Sequence, residues 1–215
     1  MEARRLDMEY YTYADVLKMS EDIRVELIDG VIYNMASPSW KHQNVAGAIY
    51  SQLRSFLKGK KCRVFISPFD VRLNAKLFGN DDNTIVQPDV LVICDRSKLD
   101  SKGNGYRGAP DLVVEVLSPS TAYRDRHVKF EQYQNAGVRE YWMVEANSKF
   151  VEVYVLENGK FQKHDVYSIE CDCASQGIEN CDCQLKDKMP VQILQDCEID
   201  LTDVFADLDD DDAPH

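Results

Sequence analysis

Apolar residues recur along the chain with two periods, and each period predicts one kind of element. One stripe has spacings of three and four residues and consists of Val45, Ile49, Leu53, Phe56 and Leu57. It predicts an amphipathic helix that ends at Gly59. A second long helix is predicted from residue 118 to Gly137, which is placed to close it. A short helix is expected after Thr12, a candidate N-cap with Asp15 three residues later.

Continuous or alternating apolar runs predict the strands. These runs lie in the segments 25–35, 62–73, 84–95, 108–118, 139–147, 150–168 and 197–205. Two turns have strong hairpin signals, Asp29-Gly30 and Asn158-Gly159. Strands that are flanked by two long helices predict an α/β fold with a mixed central sheet, flanked by helices and extended by extra β-hairpins.

One charged residue interrupts the most apolar of these strands. Glu115 lies among valines and leucines, where an unpaired carboxylate would be costly to bury. Asp111 shares its face, but four residues along a strand span about 13 Å, too far for both to bind one metal ion. The partner of Glu115 should therefore come from a neighbouring strand. The candidate is Asp89, which follows Pro88 at a point where a strand begins or bends.

The pair of Asp89 and Glu115 has two interpretations. Two carboxylates about 5 Å apart repel by roughly 3 kcal/mol at an effective dielectric of 20, and a divalent cation with oxygen ligands, Mg²⁺ or Mn²⁺, removes that repulsion. Alternatively, Asp89 caps a turn and Glu115 pairs with a buried cation such as Lys129. Lys129 would orient a water molecule beside a metal, or form an ordinary helical pair with Asp125 on a solvated face.

Composition narrows the class of protein. The 215 residues are 44% hydrophobic and carry a formal net charge of −12, which counts against a broad basic surface for nucleic acid. We expect a single domain at 1–206 and an acidic disordered tail at 207–215. No apolar run near the first residue predicts a signal peptide and none is long enough to span a bilayer, so the expected location is cytoplasmic.

Seven cysteines without a secretory signal do not predict a disulfide framework. Four of them fall in a Cys-rich surface insertion expected at about 170–189. These are Cys171, Cys173, Cys181 and Cys183. Four thiolates can hold a structural zinc ion, Zn²⁺, but the Cys-x-Cys spacing and the charges of Asp172 and Asp182 weigh against it. Reduced surface cysteines and a reversible disulfide are the alternatives.

The chain resembles the Uma-type endonuclease family, a former domain of unknown function in the PD-(D/E)XK superfamily. The resemblance rests on "QPDV" and "APDLVVEVLSPSTAYRDRHVKFEQYQNAGVREYWMVEAN". It runs from about Tyr11 to Phe161 and resumes at "EIDLTDVF". It implies a restriction-endonuclease-like fold, a bound Mg²⁺ or Mn²⁺, and hydrolysis of phosphodiester bonds in nucleic acid, with DNA as the expected substrate.

The resemblance also implies roles for four residues. Asp89 and Glu115 match the two acidic metal ligands. Lys129 matches a catalytic lysine that has moved to the following helix, because Leu117 occupies the position where the superfamily usually has it. Glu26 matches a further acidic residue of the catalytic set, although by pattern alone it is a charge at the edge of a hairpin.

Three further residues are assigned no catalytic role. His42 lies near a helix start, which favours anions, and we leave it out of the catalytic set. Tyr141 and Trp142 are expected in the core rather than as base-stacking surfaces.

A homodimer is expected, because a small nuclease that cuts both strands usually needs two active sites. The rival functions are a nuclease-fold protein that binds a partner or nucleic acid without cutting, and a self-associating scaffold whose cysteine loop binds zinc.

Overall fold

The structure, a computed structural model, describes residues 10–19, 24–74, 81–101, 105–170 and 185–208. The strands are β1 (Val25–Ile28), β2 (Val31–Asn34), β3 (Arg63–Ile66), β4 (Val71–Arg72), β5 (Ile85–Val86), β6 (Val90–Ile93), β7 (Tyr106–Arg107), β8 (Leu112–Val116), β9 (Glu140–Glu145), β10 (Phe150–Glu157), β11 (Lys160–Ser168), β12 (Lys188–Pro190) and β13 (Glu198–Asp200). The helices are α1 (Tyr13–Val16), α2 (Trp40–Phe56), α3 (Phe130–Ala136) and α4 (Leu201–Val204), with a π-helical segment, Arg124–Lys129, leading into α3. Within these ranges no helix combines the length and the apolar character needed to cross a bilayer.

A six-stranded sheet forms the centre of the molecule. Its strand order is β11-β10-β9-β8-β6-β3. The neighbours β8 and β9 are parallel, whereas the other pairs are antiparallel, so the sheet is mixed as predicted. A second sheet, of order β2-β1-β5-β4-β7, and the β12-β13 pair complete the fold. The predicted α/β class with a mixed central sheet is confirmed.

Both faces of the central strands β6, β8 and β9 are buried, and each face lies under a different helix. On one face Val114 and Trp142 pack with Ile49 of α2. On the other face Val113 and Tyr141 belong to the cluster around Tyr133 of α3. A strand that is covered on both faces has to be almost continuously apolar, which explains the composition of β8 and makes Glu115 its exception.

The N-cap predicted at Thr12 is confirmed. The second long helix, predicted from residue 118, becomes helical only at residue 122 and ends at Gly137 as predicted. Thr12 caps α1 in a capping box with Asp15, and Ser39 caps α2 by accepting the backbone N–H of His42. The segment 197–205 is only partly a strand. Asp200 ends β13 and its side chain accepts the backbone N–H groups of the next turn, so the chain continues as α4.

A disulfide joins Cys62 and Cys94, and cysteine counting did not predict it. β3 and β6 are antiparallel with Arg63 opposite Ile93, so the next residues of the ladder face each other. Cys197 is a buried free thiol. The four cysteines of the predicted zinc site, 171–183, lie outside the described residues, and the zinc ion stays a prediction.

The domain boundaries also stay predictions. Leu208, two residues beyond the expected end of the domain, is buried in the core cluster under α2, and residues 209–215 lie outside the described part of the chain. Of the expected insertion, the structure describes Glu170 and residues 185–189, of which the last two begin β12.

Candidate active site

Asp89 and Glu115 come together from neighbouring strands. β6 and β8 are antiparallel, with Val90 opposite Val114, so the next residues of the ladder are Asp89 and Glu115. Directly opposed residues of an antiparallel pair have Cβ atoms about 5 Å apart. The backbone N–H of Val116 donates to Asp89 Oδ2 at 2.8 Å, which holds the aspartate at the end of β8.

Glu115 points into the face of the sheet that α3 covers, and its side chain is only 4% exposed. Lys129 Nζ donates to Oε1 at 2.9 Å, and the Tyr133 hydroxyl donates to the same oxygen at 2.6 Å. The pairing with Lys129, which was the alternative to metal binding, is therefore present. It engages one oxygen of the carboxylate and leaves Oε2 outside these contacts.

The ammonium group of Lys129 lies among three carboxylates. Its Nζ is 2.7 Å from Glu26 Oε1, 2.9 Å from Glu115 Oε1 and 3.5 Å from Asp125 Oδ1. The side chains of Lys129 and Asp125 are 4% and 3% exposed, so the interpretation as a pair on a solvated face is wrong. Lys129 ends the π-helical segment, and such wide turns inside helices are frequent at functional sites.

Glu26 is fully buried and belongs to the same cluster. A hairpin alone would leave it at an edge, but β5 pairs with β1 on the side away from β2. Its Oε1 accepts the backbone N–H of Gln87 at 3.0 Å in addition to the Lys129 ammonium. Arg124 Nη2 lies 3.5 Å from Oε2. The four residues of the predicted catalytic set therefore occupy one region of the molecule, Asp89 beside Glu115 and Glu26 bridged to Glu115 by Lys129.

His42 also touches this region, although it was left out of the catalytic set. Its Nε2 lies 3.1 Å from Asp89 Oδ2. Burial lowers the pKa of His42, but Asp89 and Asp125 more than compensate, so its pKa is raised. The sequence signal was its place in the first turn of α2, from which the side chain reaches Asp89 at the start of β6.

A model of the Uma2 family, described as "Putative restriction endonuclease", matches residues 8–175. The chain belongs to the Uma2 family. The matched range contains all the residues of the predicted catalytic set and ends before most of the cysteine-rich insertion.

Two relatives of this Uma2 chain come from Synechocystis sp., and both are described as uncharacterized proteins. The protein slr1290 is 33% identical over 130 residues, which is 60% of this chain and 64% of that protein. The protein sll1609 is 26% identical over 146 residues, which is 66% of this chain and 79% of that protein. This chain therefore spans slightly less than two thirds of the first relative.

A solved structure shares the fold. It is described as a "putative nuclease belonging to DUF820" from Anabaena variabilis, and it superposes with a TM-score of 0.67 at 20% sequence identity. The superposition covers 91% of this chain and 98% of that chain. The restriction-endonuclease-like fold expected for this Uma2 chain is confirmed.

The Uma2 chain departs from the usual superfamily pattern at Leu117. This residue is buried in the cluster around Tyr133. As a leucine it offers no cation to Glu115. Lys129 reaches Glu115 from the π-helical segment instead.

Buried charge dominates the electrostatics of the site. Burial raises the pKa of Glu115 well above its usual range, neighbouring carboxylates raise it further, and Lys129 opposes them. Burial also lowers the pKa of Lys129, but its three carboxylate neighbours raise it by more, so the ammonium stays protonated. Glu26, Asp89, Glu115 and Asp125 face two permanent cations, Lys129 and Arg124, which leaves a formal excess of two negative charges before any proton on His42 is counted.

The donor set fits a hard divalent cation. The contacts above leave one oxygen each of Asp89 and Glu115 uncommitted. Glu26 Oε2 and Asp125 Oδ1 are buried without a hydrogen-bond partner in the described residues. No three His, Cys, Asp or Glu side chains of these residues are arranged as a metal site, and Lys129 separates three of the carboxylates. Mg²⁺ commonly binds through one or two carboxylates and keeps several waters, so a two-carboxylate site suffices.

Proposed function

We propose that this chain is a metal-dependent endonuclease that hydrolyses phosphodiester bonds in nucleic acid, with DNA as the substrate. The observation that carries the proposal is the position of Glu115. This buried carboxylate lies opposite Asp89 and within 2.9 Å of a buried lysine, in a chain whose family and fold are those of nuclease-like proteins. A carboxylate pair with a neighbouring lysine is the donor set that phosphoryl hydrolysis needs.

Asp89 and Glu115 would hold the cation, Mg²⁺ or Mn²⁺, through the oxygens that the protein leaves uncommitted. Such an ion supplies Lewis-acid catalysis at the scissile phosphate. The other carboxylate oxygens of Asp89 and Glu115 are held by hydrogen bonds within the chain. The Val116 backbone fixes Asp89, and the Tyr133 hydroxyl fixes Glu115, so neither carboxylate has to be ordered when substrate arrives.

Lys129 orients the attacking water and stabilises negative charge that grows on the phosphate oxygens. It can do so because its raised pKa keeps the ammonium charged. Glu26 holds Lys129 from the side opposite Glu115, at 2.7 Å, and Asp125 completes the set of neighbours. Glu26 and Asp125 thus act through the lysine.

Two expectations accompany the proposal. A homodimer would bring two such sites to the two strands of a duplex, and a cytoplasmic location would place the protein with nucleic acid. Gel filtration with light scattering tests the first, and microscopy of a fluorescent fusion tests the second.

The experiment is cleavage of plasmid and short fluorescent DNA in Mg²⁺ or Mn²⁺, with EDTA as the blank. Asp89→Asn and Lys129→Met each lower the rate by roughly a hundredfold or more. Glu198→Gln and Lys58→Met make the same kinds of chemical change at exposed positions and retain the parental rate. Undiminished cleavage by both site variants, with both folded by circular dichroism, would rule out the assigned site.

A catalytically inactive binding module is the second candidate. The net charge of −12 and the salt bridges of the Lys129 ammonium to Glu26 and Glu115 favour it. It predicts that folded protein binds nucleic acid in EDTA and cuts none in Mn²⁺. Metal-dependent cleavage that is lost in Asp89→Asn excludes it.

A further inference from the structure

Arg124 has hydrogen-bonding capacity that the acid site leaves unused. Its side chain is 14% exposed, and its Nε is buried without a hydrogen-bond partner in the described residues. Its Nη2 lies 3.5 Å from Glu26 Oε2, which is longer than a normal N–H···O hydrogen bond. A guanidinium that has left bulk water normally has its N–H donors bonded, so Arg124 is an exception.

Two other arginines show how this chain satisfies a guanidinium whose role is structural. Arg72 is 6% exposed, and its Nε and Nη2 both donate to the carboxylate of Asp82. Such a fork is the ordinary way in which a buried arginine is paired. Arg126, two positions after Arg124, donates directly to the carboxylate of Glu152. The guanidinium of Arg124 makes no such fork with the described residues, so its donors are left for a ligand.

An aromatic ring helps to hold the Arg124 cation beside Glu26. Its Cζ lies 5.2 Å from the centre of the Tyr33 ring, and Tyr33 is opposite Glu26 in the β1–β2 ladder. Opposed residues of an antiparallel pair project from the same face of a sheet. The ring attracts the cation without accepting its N–H groups in ordinary hydrogen bonds. The guanidinium is therefore positioned at the site while its donors stay unused.

The contacts of Glu26 give the distance from Arg124 to the proposed metal ligands. Glu26 approaches Arg124 through Oε2 and accepts the Lys129 ammonium through Oε1, at 2.7 Å. Lys129 in turn contacts Glu115 at 2.9 Å. The guanidinium thus lies one carboxylate and one ammonium away from Glu115. This separation favours contact with a phosphate that flanks the cation-bound phosphate over contact with that phosphate itself.

The Lys129 ammonium has little capacity left for a second phosphate. An ammonium has three N–H donors, and Glu26 and Glu115 lie within 2.9 Å of this one, which leaves one N–H for a water molecule. The guanidinium of Arg124 instead offers a planar fork that matches two phosphate oxygens. A nucleic acid carries such an anion at every nucleotide, so a phosphodiester is the ligand that fits these donors.

We propose that Arg124 binds substrate, and that its guanidinium donates to the phosphodiester next to the scissile one. This inference rests on the proposed nuclease function and adds a substrate-binding residue to it. A contact that is equally strong before and during hydrolysis contributes to KM and leaves kcat unchanged. The loss of Arg124 therefore raises KM about tenfold, with kcat within about threefold of the parent.

The test is DNA binding without hydrolysis. Fluorescence anisotropy in EDTA and in Ca²⁺ measures the affinity of a labelled duplex over a range of salt concentrations, and denaturing gels check that the DNA stays intact. Arg124→Gln weakens binding about tenfold. The slope of log affinity against log salt falls by about 0.9, which is the value for one lost phosphate contact. Arg124→Lys keeps the positive charge, retains the slope and recovers part of the affinity.

Arg126→Gln is the matched control. It removes the same charge from the same π-helical segment, at a residue whose guanidinium is already paired with Glu152. It binds with the slope of the parent, because a residue that contacts no phosphate releases no counterions. Circular dichroism shows whether each variant is folded.

Neutral methylphosphonate linkages, placed one at a time, locate the contacted phosphate. At one position next to the scissile linkage the substitution weakens binding by the parent about tenfold and has no further effect on Arg124→Gln, as a double-mutant cycle requires. Equal losses for both proteins at every position overturn the inference. So does an Arg124→Gln variant with the affinity and slope of the parent, or a parent that binds no DNA in either buffer.

Failure of the two proposals can be distinguished. Binding that depends on Arg124, without any cleavage in Mn²⁺, supports the phosphate contact and defeats the nuclease proposal. Cleavage in Mn²⁺ that is lost in Asp89→Asn but keeps the parental KM in Arg124→Gln defeats the phosphate contact and leaves the nuclease proposal standing.

Discussion

Two buried glutamates in neighbouring strands have opposite surroundings. Glu140 begins β9, next to β8, and is 0% exposed. Its Oε1 accepts from the Trp142 indole at 2.7 Å and the Gln192 backbone at 3.2 Å. Its Oε2 accepts from the Ile193 backbone at 2.9 Å. Both oxygens are satisfied by neutral N–H groups that tie the 192–193 turn to the sheet, so Glu140 has a structural role.

Glu115 lacks neutral N–H donors of this kind. A lysine and a tyrosine hydroxyl share one of its oxygens, and the other carboxylates of the site add repulsion. A buried carboxylate with neutral donors on both oxygens stabilises the fold. One that is crowded by like charges costs stability, and such arrangements are typical of sites that bind or react. Glu140 is therefore the natural control for Glu115.

The largest difference is expected in activity. Glu115→Gln lowers metal-dependent cleavage by about a thousandfold, because it removes several kcal/mol of stabilisation at the developing phosphate charge. Glu140→Gln, the same substitution one strand away, leaves the rate of the folded fraction unchanged. Initial rates in Mn²⁺, normalised to folded protein, measure both. Equal losses in the two variants would remove the distinction between them.

Stability is expected to respond in the opposite order. Glu140→Gln puts an amide NH₂ against an N–H donor and lowers the free energy of unfolding by about 2 kcal/mol. Glu115→Gln removes a charge from a site with surplus negative charge and leaves stability equal or higher. Urea unfolding of the metal-free variants measures this. Greater destabilisation by Glu115→Gln than by Glu140→Gln would contradict it.

Tyr133, on the helix α3 that covers Glu115, gives a further test of the difference between Glu115 and Glu140. Its hydroxyl donates to Glu115 Oε1 at 2.6 Å, so Tyr133→Phe frees the carboxylate to rotate and weakens Mn²⁺ binding and cleavage about tenfold. Tyr141→Phe is the control, because its hydroxyl donates to the backbone of Asp125 instead. Calorimetric Mn²⁺ affinity of the two variants decides. A larger loss in Tyr141→Phe would mean that packing, rather than the bond to Glu115, is what matters.

The comparison also extends to the pH dependence of stability. Burial raises the pKa of Glu115 above its ordinary value of 4.5, so the folded protein holds this proton more tightly than the unfolded chain does. Its contribution is complete below about pH 4.5 and is lost as the pH rises, by at most about 1.4 kcal/mol per pH unit. In EDTA, the stability of Glu115→Gln relative to the parent should therefore increase with pH. A difference that stays constant from about pH 5 to about pH 9 would contradict this sign.

Much of the site could be located from the sequence, because its charged residues interrupt apolar runs. Glu115 stands out inside β8, and Asp89 stands out beside Pro88 at the start of β6, so their convergence could be predicted from strand adjacency. The helical face that carries Asp125 and Lys129 was also visible in the spacing. The sequence did not show that this face points into the protein, because its burial depends on packing against a sheet whose strands are distant in sequence.

Other parts of the site depend on contacts that no local pattern contains. Glu26 has the pattern of an edge charge until β5, which lies far along the chain, pairs with β1. The role of Arg124 beside Glu26 depends on a π-helical turn, which the regular spacing of a helix does not predict. The disulfide between Cys62 and Cys94 likewise requires the register of β3 against β6.

The most direct test of the account is calorimetric titration of metal-free protein with Mn²⁺. We expect the parent and Glu140→Gln to bind with the same affinity, and Asp89→Asn and Glu115→Gln to lose binding at millimolar metal. Absence of binding by the parent at millimolar Mn²⁺, or unchanged binding in Asp89→Asn and Glu115→Gln, would contradict a cation held between β6 and β8.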